Sequence, residues 1–168
     1  QFPDRRYMAN KDFRQYRRGV YMHWQRSFLH PMLVNFDAPS RDECAADRPL
    51  SNSPQQALTL LNDPSFVEAS QAMAALLLHE HPEAAFDQLL NVAFMKALSR
   101  EANERERDGL AKLYQTQLEY YKNNRADAET SIALGNQTST SKADIASLAA
   151  WSQICRVILN LHETITRY

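Results

Sequence analysis

The chain has 168 residues, 44% of them apolar, and a formal charge of −1. That is enough apolar material for one domain with a buried core, and the charge balance carries no overall electrostatic footprint for nucleic acid or an anionic membrane. Its three glycines, Gly19, Gly109 and Gly135, cannot build a phosphate-cradling loop, so P-loop and dinucleotide sites are excluded, and no apolar run approaches the ~18 residues of a membrane span.

Residues 1–15 show no sustained period and lack both a starting Met and the apolar region of a signal peptide. They are expected to form an extended arm on a mature or fragmentary chain. In residues 16–30, Val20, Trp24, Ser27 and Phe28 approximate a helical stripe, weakened at Gly19 and ended by His30-Pro31. Residues 36–53 then read as a long structured loop. It opens on the turn Phe36-Asp37-Ala38-Pro39-Ser40-Arg41, where Asp37 and Ser40 can bond nearby backbone N–H groups. Ser53-Pro54-Gln55-Gln56 starts a helix reaching Leu61, with Ser53 as cap and Pro54 in the first turn, where its missing N–H costs little. Asn62-Asp63-Pro64 breaks the helix and restarts it.

The helix over residues 65–80 should bury a face of Phe66, Ala69, Met73, Leu76 and Leu77. Residues 83–98 form the clearest helix, with Phe86, Leu89, Leu90, Ala93, Phe94 and Ala97 in register. Ser99 is then expected to cap a long helix to about Tyr121, striped by Leu110, Leu113, Tyr114, Leu118 and Tyr121. Residues 123–144 form a polar connector holding a short helix that ends at Gly135. The last helix, residues 145 to about 166, carries a wide apolar face of Leu148, Trp151, Ile154, Cys155, Ile158 and Leu161. No strand-period run and no internal repeat occurs. The chain therefore reads as all-α: a single helical domain over residues 1–168, an irregular bundle of about five to seven helices with a long ordered N-terminal loop.

Asp37, Arg41, Asp42, Glu43, Asp47 and Arg48 crowd the loop. Arg41 or Arg48 can grip a carboxylate, sulfate or phosphate, with Asp37 as acid or base. The same side chains can equally pair with one another and fix the loop. Asn52, Gln55, Gln56 and Asn62 offer amides either to a sugar or peptide or to loop carbonyls. The candidate ligand set is Asp37, Arg41, Arg48, Asn52 and Gln56, with no assignable catalytic residue. His79 and His81 diverge on a helix end, and His23, His30 and His162 have no partner at a fixed offset, so no metal site is expected. Cys44 and Cys155 allow at most one disulfide and fit no zinc, CxxC or haem-attachment spacing; Cys44 reads as a partly buried structural thiol. There is no GxSxG nucleophile elbow. Tyr21, Trp24, Phe28 and Trp151 are either a stacking platform for sugars or filler between helices.

The stretch from Tyr16 through FDAPSRDECAADRPLSNSPQQALTLLNDPSF resembles a planctomycete-type C-terminal domain family of unknown function, the PSD-one family. Its pattern is FDAP, R, C, R, N, P, QAL, LLNDP and F, matched here by Phe36, Asp37, Ala38, Pro39, Arg41, Cys44, Arg48, Asn52, Pro54, Gln56, Ala57, Leu58, Leu60 to Pro64 and Phe66. Arg17, Arg18, Tyr21 and Trp24 match its opening. The closing segment LAAWSQICRVILNLHETITRY is similar to the family's last helix, with His162 where Asp is commoner and, near the start, Gly19 where Ser is commoner.

The resemblance implies the C-terminal part of a larger, extracytoplasmic (periplasmic or secreted) protein whose other segments include a cytochrome c domain. Haem would then belong to the parent and no cofactor to this chain. The implied partners are the remaining segments of the parent and carbohydrate, with neither nucleic acid nor a membrane span. On this basis the expected role is a helical module that supports or completes a site shared with other segments. The alternatives are a scaffold without a reaction, or part of a carbohydrate-active enzyme in which Asp37 faces Glu43 or Asp47.

Overall fold

Helix starts along this chain are set by proline and by capping side chains. The computed structural model describes residues 12–22, 30–39, 44–47, 49–133 and 144–166. The chain divides into two compact units, Gln1–Ser51 and Asn52–Tyr168.

In the first unit, Asp12 caps a 3-10 turn, Phe13–Tyr16, by accepting from the Arg14 N–H at 3.0 Å. A second 3-10 turn covers Gly19–Tyr21. The expected extended arm thus ends in a 3-10 turn, and the described part of the helix expected over residues 16–30 is another. The rest of both expectations, residues 1–11 and 23–29, lies outside the described residues. Short 3-10 turns fit this stretch because its apolar residues recur without a stripe broad enough to hold an α-helix against a core. Gly19 is closely approached: a Cβ there would stand 2.9 Å from Leu33 Cδ2.

Helix α1 (Pro31–Asn35) follows, with proline at its first position. It ends in a Schellman motif. The Ala38 N–H donates to the Leu33 carbonyl at 2.9 Å and the Asp37 N–H to that of Val34 at 3.1 Å. Asp37 takes the left-handed conformation, φ 57°, that the motif requires. Pro39 then prevents any continuation. The FDAP turn is therefore a helix stop.

The second unit is built from α2 (Pro54–Asn62), α3 (Pro64–Glu80), α4 (Phe86–Leu98), α5 (Glu104–Asn123), α6 (Arg125–Ile132), α7 (Ile145–Leu159) and α8 (His162–Ile165). Every regular element among the described residues is helical, so the chain is all-α. The described residues hold eight α-helices, of which α1 and α8 are short turns of five and four residues, in keeping with the irregular helical bundle expected. Helix α7 lies at the centre, packed against α3, α5 and α6 and touching α2, α4 and α8. Its Trp151, Ile154, Cys155 and Ile158 are buried with Leu77, Leu90 and Phe94. Each such side chain contributes roughly 1.5–3 kcal/mol by leaving water. Trp151 stacks obliquely on Phe86 and Tyr114, with both ring centroids 5.3 Å away. A satellite cluster of Ala128, Ala146, Ala149, Ala150 and Tyr121 lets α6 and α5 approach α7 closely.

The registers of α4 and α5 agree with expectation: Leu89, Leu90, Ala93 and Phe94 are buried, and Leu110 and Tyr121 anchor α5. Four boundaries or faces differ. Helix α3 buries Ser70, Gln71, Ala74 and Leu77, while Ala69 and Leu76 are exposed. Its sequence is apolar nearly all round, so periodicity could not fix its rotation; the small Ser70 and Ala74 are on the buried side. Ser99 does not cap α5. It ends α4 in the left-handed conformation, φ 58°, and Asn103 caps α5 in a capping box with Glu106. Helix α4 starts at Phe86 rather than residue 83, where Gln88 Oε1 accepts from the Ala85 N–H. The last helix stops at Leu159, and α8 is a separate turn whose Thr164 hydroxyl donates to the Ile158 carbonyl at 2.8 Å. The polar connector holds α6, whose Ala128 is buried against α7; the end expected at Gly135 lies outside the described residues.

Candidate functional site

Asp37 is placed by the end of α1, and its carboxylate is engaged by Ser51. One oxygen accepts the Ser51 N–H at 2.8 Å, and the Ser51 hydroxyl lies 2.9 and 2.8 Å from the two oxygens. The left-handed backbone aims the side chain across the loop, and a bond spanning 14 residues closes it. This is a tether. The N–H groups of Asp37 and Ala38 are themselves used in the Schellman bonds, and those of residues 40–43 lie outside the described residues.

Arg41 and Arg48, with Asp42 and Glu43, lie outside the described residues. Asp47 is exposed. Cys44 is a free, exposed thiol and not the partly buried one expected; Ala45, Ala46 and Asp47 after it are exposed as well. Cys155 is also free and fully buried. In the second unit Asn52 is exposed, whereas Gln56 is 2% exposed and spent on structure. Its Oε1 accepts the Ser53 N–H at 3.1 Å, and its own N–H donates to Ser53 Oγ at 3.2 Å. Asn62 donates to the Leu58 carbonyl at 2.9 Å, and Asp63 caps α3 through the Ser65 N–H at 2.9 Å. Asp37, Ser51, Ser53, Gln56 and Asp63 of the FDAP-to-LLNDP block thus stop, start or tie an element.

Sequence reasoning missed the polar seam where α3, α6 and α7 meet. Gln71 donates to the Ser131 carbonyl at 2.8 Å, and Gln153 reaches Tyr121 Oη at 3.2 Å and Ser131 Oγ at 3.3 Å. The Arg156 guanidinium donates to the Leu61 carbonyl at the end of α2, through Nε at 2.7 Å and also through Nη2. Ser70, Gln71, Ser131, Ser152, Gln153 and Arg156 line a cavity of about 10 Å³, the size of a single water and too small for a substrate. The available signal was Ser152, Gln153 and Arg156 interrupting an otherwise apolar last helix.

A second charged group lies between the α4–α5 turn and α8. Arg100 binds Glu106 in a fork, at 2.7 and 2.9 Å, and Glu163 at 2.9 Å, with its guanidinium 5.4 Å from the Phe94 ring centre. Arg100 and then the Asn103 N–H hold the Glu106 carboxyl below the ordinary carboxylate range. The cluster fixes α8 and offers no open coordination position. Among the described residues no group of three or more His, Cys, Asp or Glu could hold a metal, and no helix is long and apolar enough to cross a membrane. Glu80, between the two histidines, is paired with Lys96 at 2.7 Å. Of the aromatics, Trp151 is core, Tyr21 is exposed, and Trp24 and Phe28 lie outside the described residues.

Fold and site together define an all-α module in which Asp37, Ser53, Gln56, Asp63, Arg100 and Arg156 hold helices and loop in place. The chain belongs to the PSD1 family, described as a protein of unknown function (DUF1553), whose model matches residues 1–114. The match ends within α5, so the likeness of the closing helix to that family stands on its residues alone. Neither a curated protein nor a solved structure matches the chain.

Proposed function

We propose that the chain is a supporting helical module without a reaction of its own, whose loop over residues 36–53 completes a site or interface formed with other polypeptide segments. The observation that carries this reading is the Asp37–Ser51 tether, which consumes the most plausible acid or base and holds the loop closed. What the tether leaves for a partner is exposed Cys44 and Asp47; Arg41 and Arg48 belong to the same stretch of sequence. Its placement in an extracytoplasmic protein linked to a cytochrome c domain rests on the family resemblance.

Intact mass and a visible spectrum of the protein from its native source test this placement. A polypeptide much heavier than 19.3 kDa with a haem band that shifts on reduction supports it. A colourless chain of about that mass removes the cytochrome link. Hydrolysis of a polysaccharide by the isolated chain, lost in Asp37→Asn, overturns the non-catalytic reading.

A further inference from the structure

Residues 12–22 carry two cations that no carboxylate among the described residues pairs with. Of their four charged side chains, Asp12 and Arg14 hold each other at 2.7 Å, while Arg17 and Arg18 are exposed. These two form the link between the 3-10 turns, Arg17 closing the first and Arg18 opening the second. Each lies over a ring of its own turn. Arg17 is 5.6 Å from the Phe13 ring centre and Arg18 is 5.9 Å from that of Tyr21. The same turns present Phe13, Tyr16, Val20 and Tyr21 to solvent at 53–69% exposure.

Exposed tyrosine and arginine beside apolar surface is the composition of an interface centre. The rings hold the guanidinium groups in place, so less side-chain freedom is lost when a ligand is gripped. A fork of N–H donors fits a planar carboxylate with two parallel bonds. Residues 1–35 as a whole add to the attraction, with seven Lys and Arg against two Asp. Two features favour a polypeptide over other polyanions. A nucleic-acid base stacks on an open ring face, and here an arginine lies over Phe13 and another over Tyr21. An anionic lipid surface takes the continuous apolar face of an amphipathic helix, whereas the one exposed aliphatic side chain of these turns, Val20, stands among aromatic and charged ones.

We infer that the stretch from Phe13 to Tyr21 docks an acidic segment of another polypeptide, its carboxylates gripped by Arg17 and Arg18 and its apolar side chains seated against Phe13, Tyr16, Val20 and Tyr21. This contact goes beyond the loop over residues 36–53 and draws on none of its residues. The association is salt-sensitive, since exposed charges are screened beyond about 3 Å at ~1 M ionic strength and beyond ~10 Å at ~0.1 M.

Fluorescence anisotropy of a labelled peptide that alternates glutamate with tyrosine, titrated with the whole chain, tests this. Binding is expected at low salt and should be lost near ~1 M. Arg17→Glu with Arg18→Glu in one variant should weaken it about tenfold or more. The same variant should gain affinity for a peptide that alternates lysine with tyrosine, and that reversal excludes misfolding as the cause of the loss. Phe13→Ala with Tyr21→Ala should also weaken binding of the glutamate peptide, which a contact made by charge alone would not show. A glutamate peptide that stays unbound at every salt concentration overturns the inference, as does binding that either double variant leaves unchanged. Tighter binding of oligothymidylate or of phosphatidylglycerol vesicles through the same arginines would assign the stretch to nucleic acid or to lipid and overturn it as well.

Discussion

Arg156 Nε donates to the carbonyl oxygen of Leu61 at 2.7 Å, tying α7 to the last turn of α2 across 95 residues of chain. The last carbonyls of a helix have no partner within it, and a cation there also opposes the negative end of the helix dipole. Arg156 therefore acts as a C-terminal cap supplied from elsewhere in the fold. In Arg156→Met the stem still packs, but the Leu61 carbonyl loses its charged donor. We expect a loss of about 1.5–3 kcal/mol, the range for hydrogen bonds to charged groups, read as a fall in thermal midpoint. Lysine should recover only part of it, because it lacks the second donor of the fork. A methionine variant as stable as the wild type would show that the bond contributes nothing net.

Ser99 makes a second local prediction. It ends α4 at φ 58°, a conformation in which a side chain costs roughly 1–2 kcal/mol and glycine nothing. Ser99→Gly should raise the thermal midpoint and Ser99→Val should lower it, the two differing by about 1–2 kcal/mol. Equal midpoints for the two variants would mean that the turn relaxes into another conformation.

What could be read from sequence followed the strength of each local signal. Proline at the first helical position marks the starts of α2 and α3, and the Ser53–Gln56 pair is an S-x-x-Q capping box. The stripe of α4 was legible because polar Asp87, Gln88 and Lys96 break its apolar run. Helix α3 offers no such contrast along AMAALLL, so only the small residues facing α7 decide which side is buried. The FDAP turn was legible as a turn, but the partner of Asp37 was not, since Ser51 is brought to it by chain closure. The Arg156 seam left only Ser152, Gln153 and Arg156 breaking an apolar helix as its trace; the acceptor of Arg156 is a backbone carbonyl, which carries no residue signature.

The same dependence explains why the family match and the folding unit have different limits. Leu77, Leu90 and Phe94 lie within the matched residues, yet they are buried against Trp151, Ile154 and Cys155 beyond them. A chain cut at residue 114 would expose that face. We expect it to be largely insoluble or to bind a hydrophobic dye strongly, whereas the full chain should do neither. A soluble truncated chain with native helicity would show that α7 is dispensable to the core.

Glu106 carries a pH dependence whose sign is fixed. Its folded-state carboxyl is held low, chiefly by Arg100. The folded chain therefore binds fewer protons there than the unfolded chain across the window between the two values. Stability from this group is fully present above the ordinary glutamate range, near ~4.3, and is lost as pH falls through the lowered folded value. Thermal midpoints of wild type and Glu106→Gln should stay apart at a constant interval above that range and converge below it. An interval unchanged down to the acid limit would mean that packing, and not charge, separates the two proteins.

The two cysteines should be told apart by reaction alone. Cys44 is exposed, while burial pushes the Cys155 thiol up to about 12. The thiolate is the reactive form, so Cys155 is doubly protected, by lack of access and by lack of ionisation. With an aromatic disulfide reagent near neutral pH, the folded chain should release one equivalent of thiolate quickly. The second should appear only on denaturation, at the rate at which α7 leaves the core. Cys44→Ser should abolish the fast phase and leave the slow one unchanged. Rapid reaction of both thiols in the folded chain would mean that the Trp151–Cys155 face of α7 opens to solvent, and the central position given to that helix would be wrong.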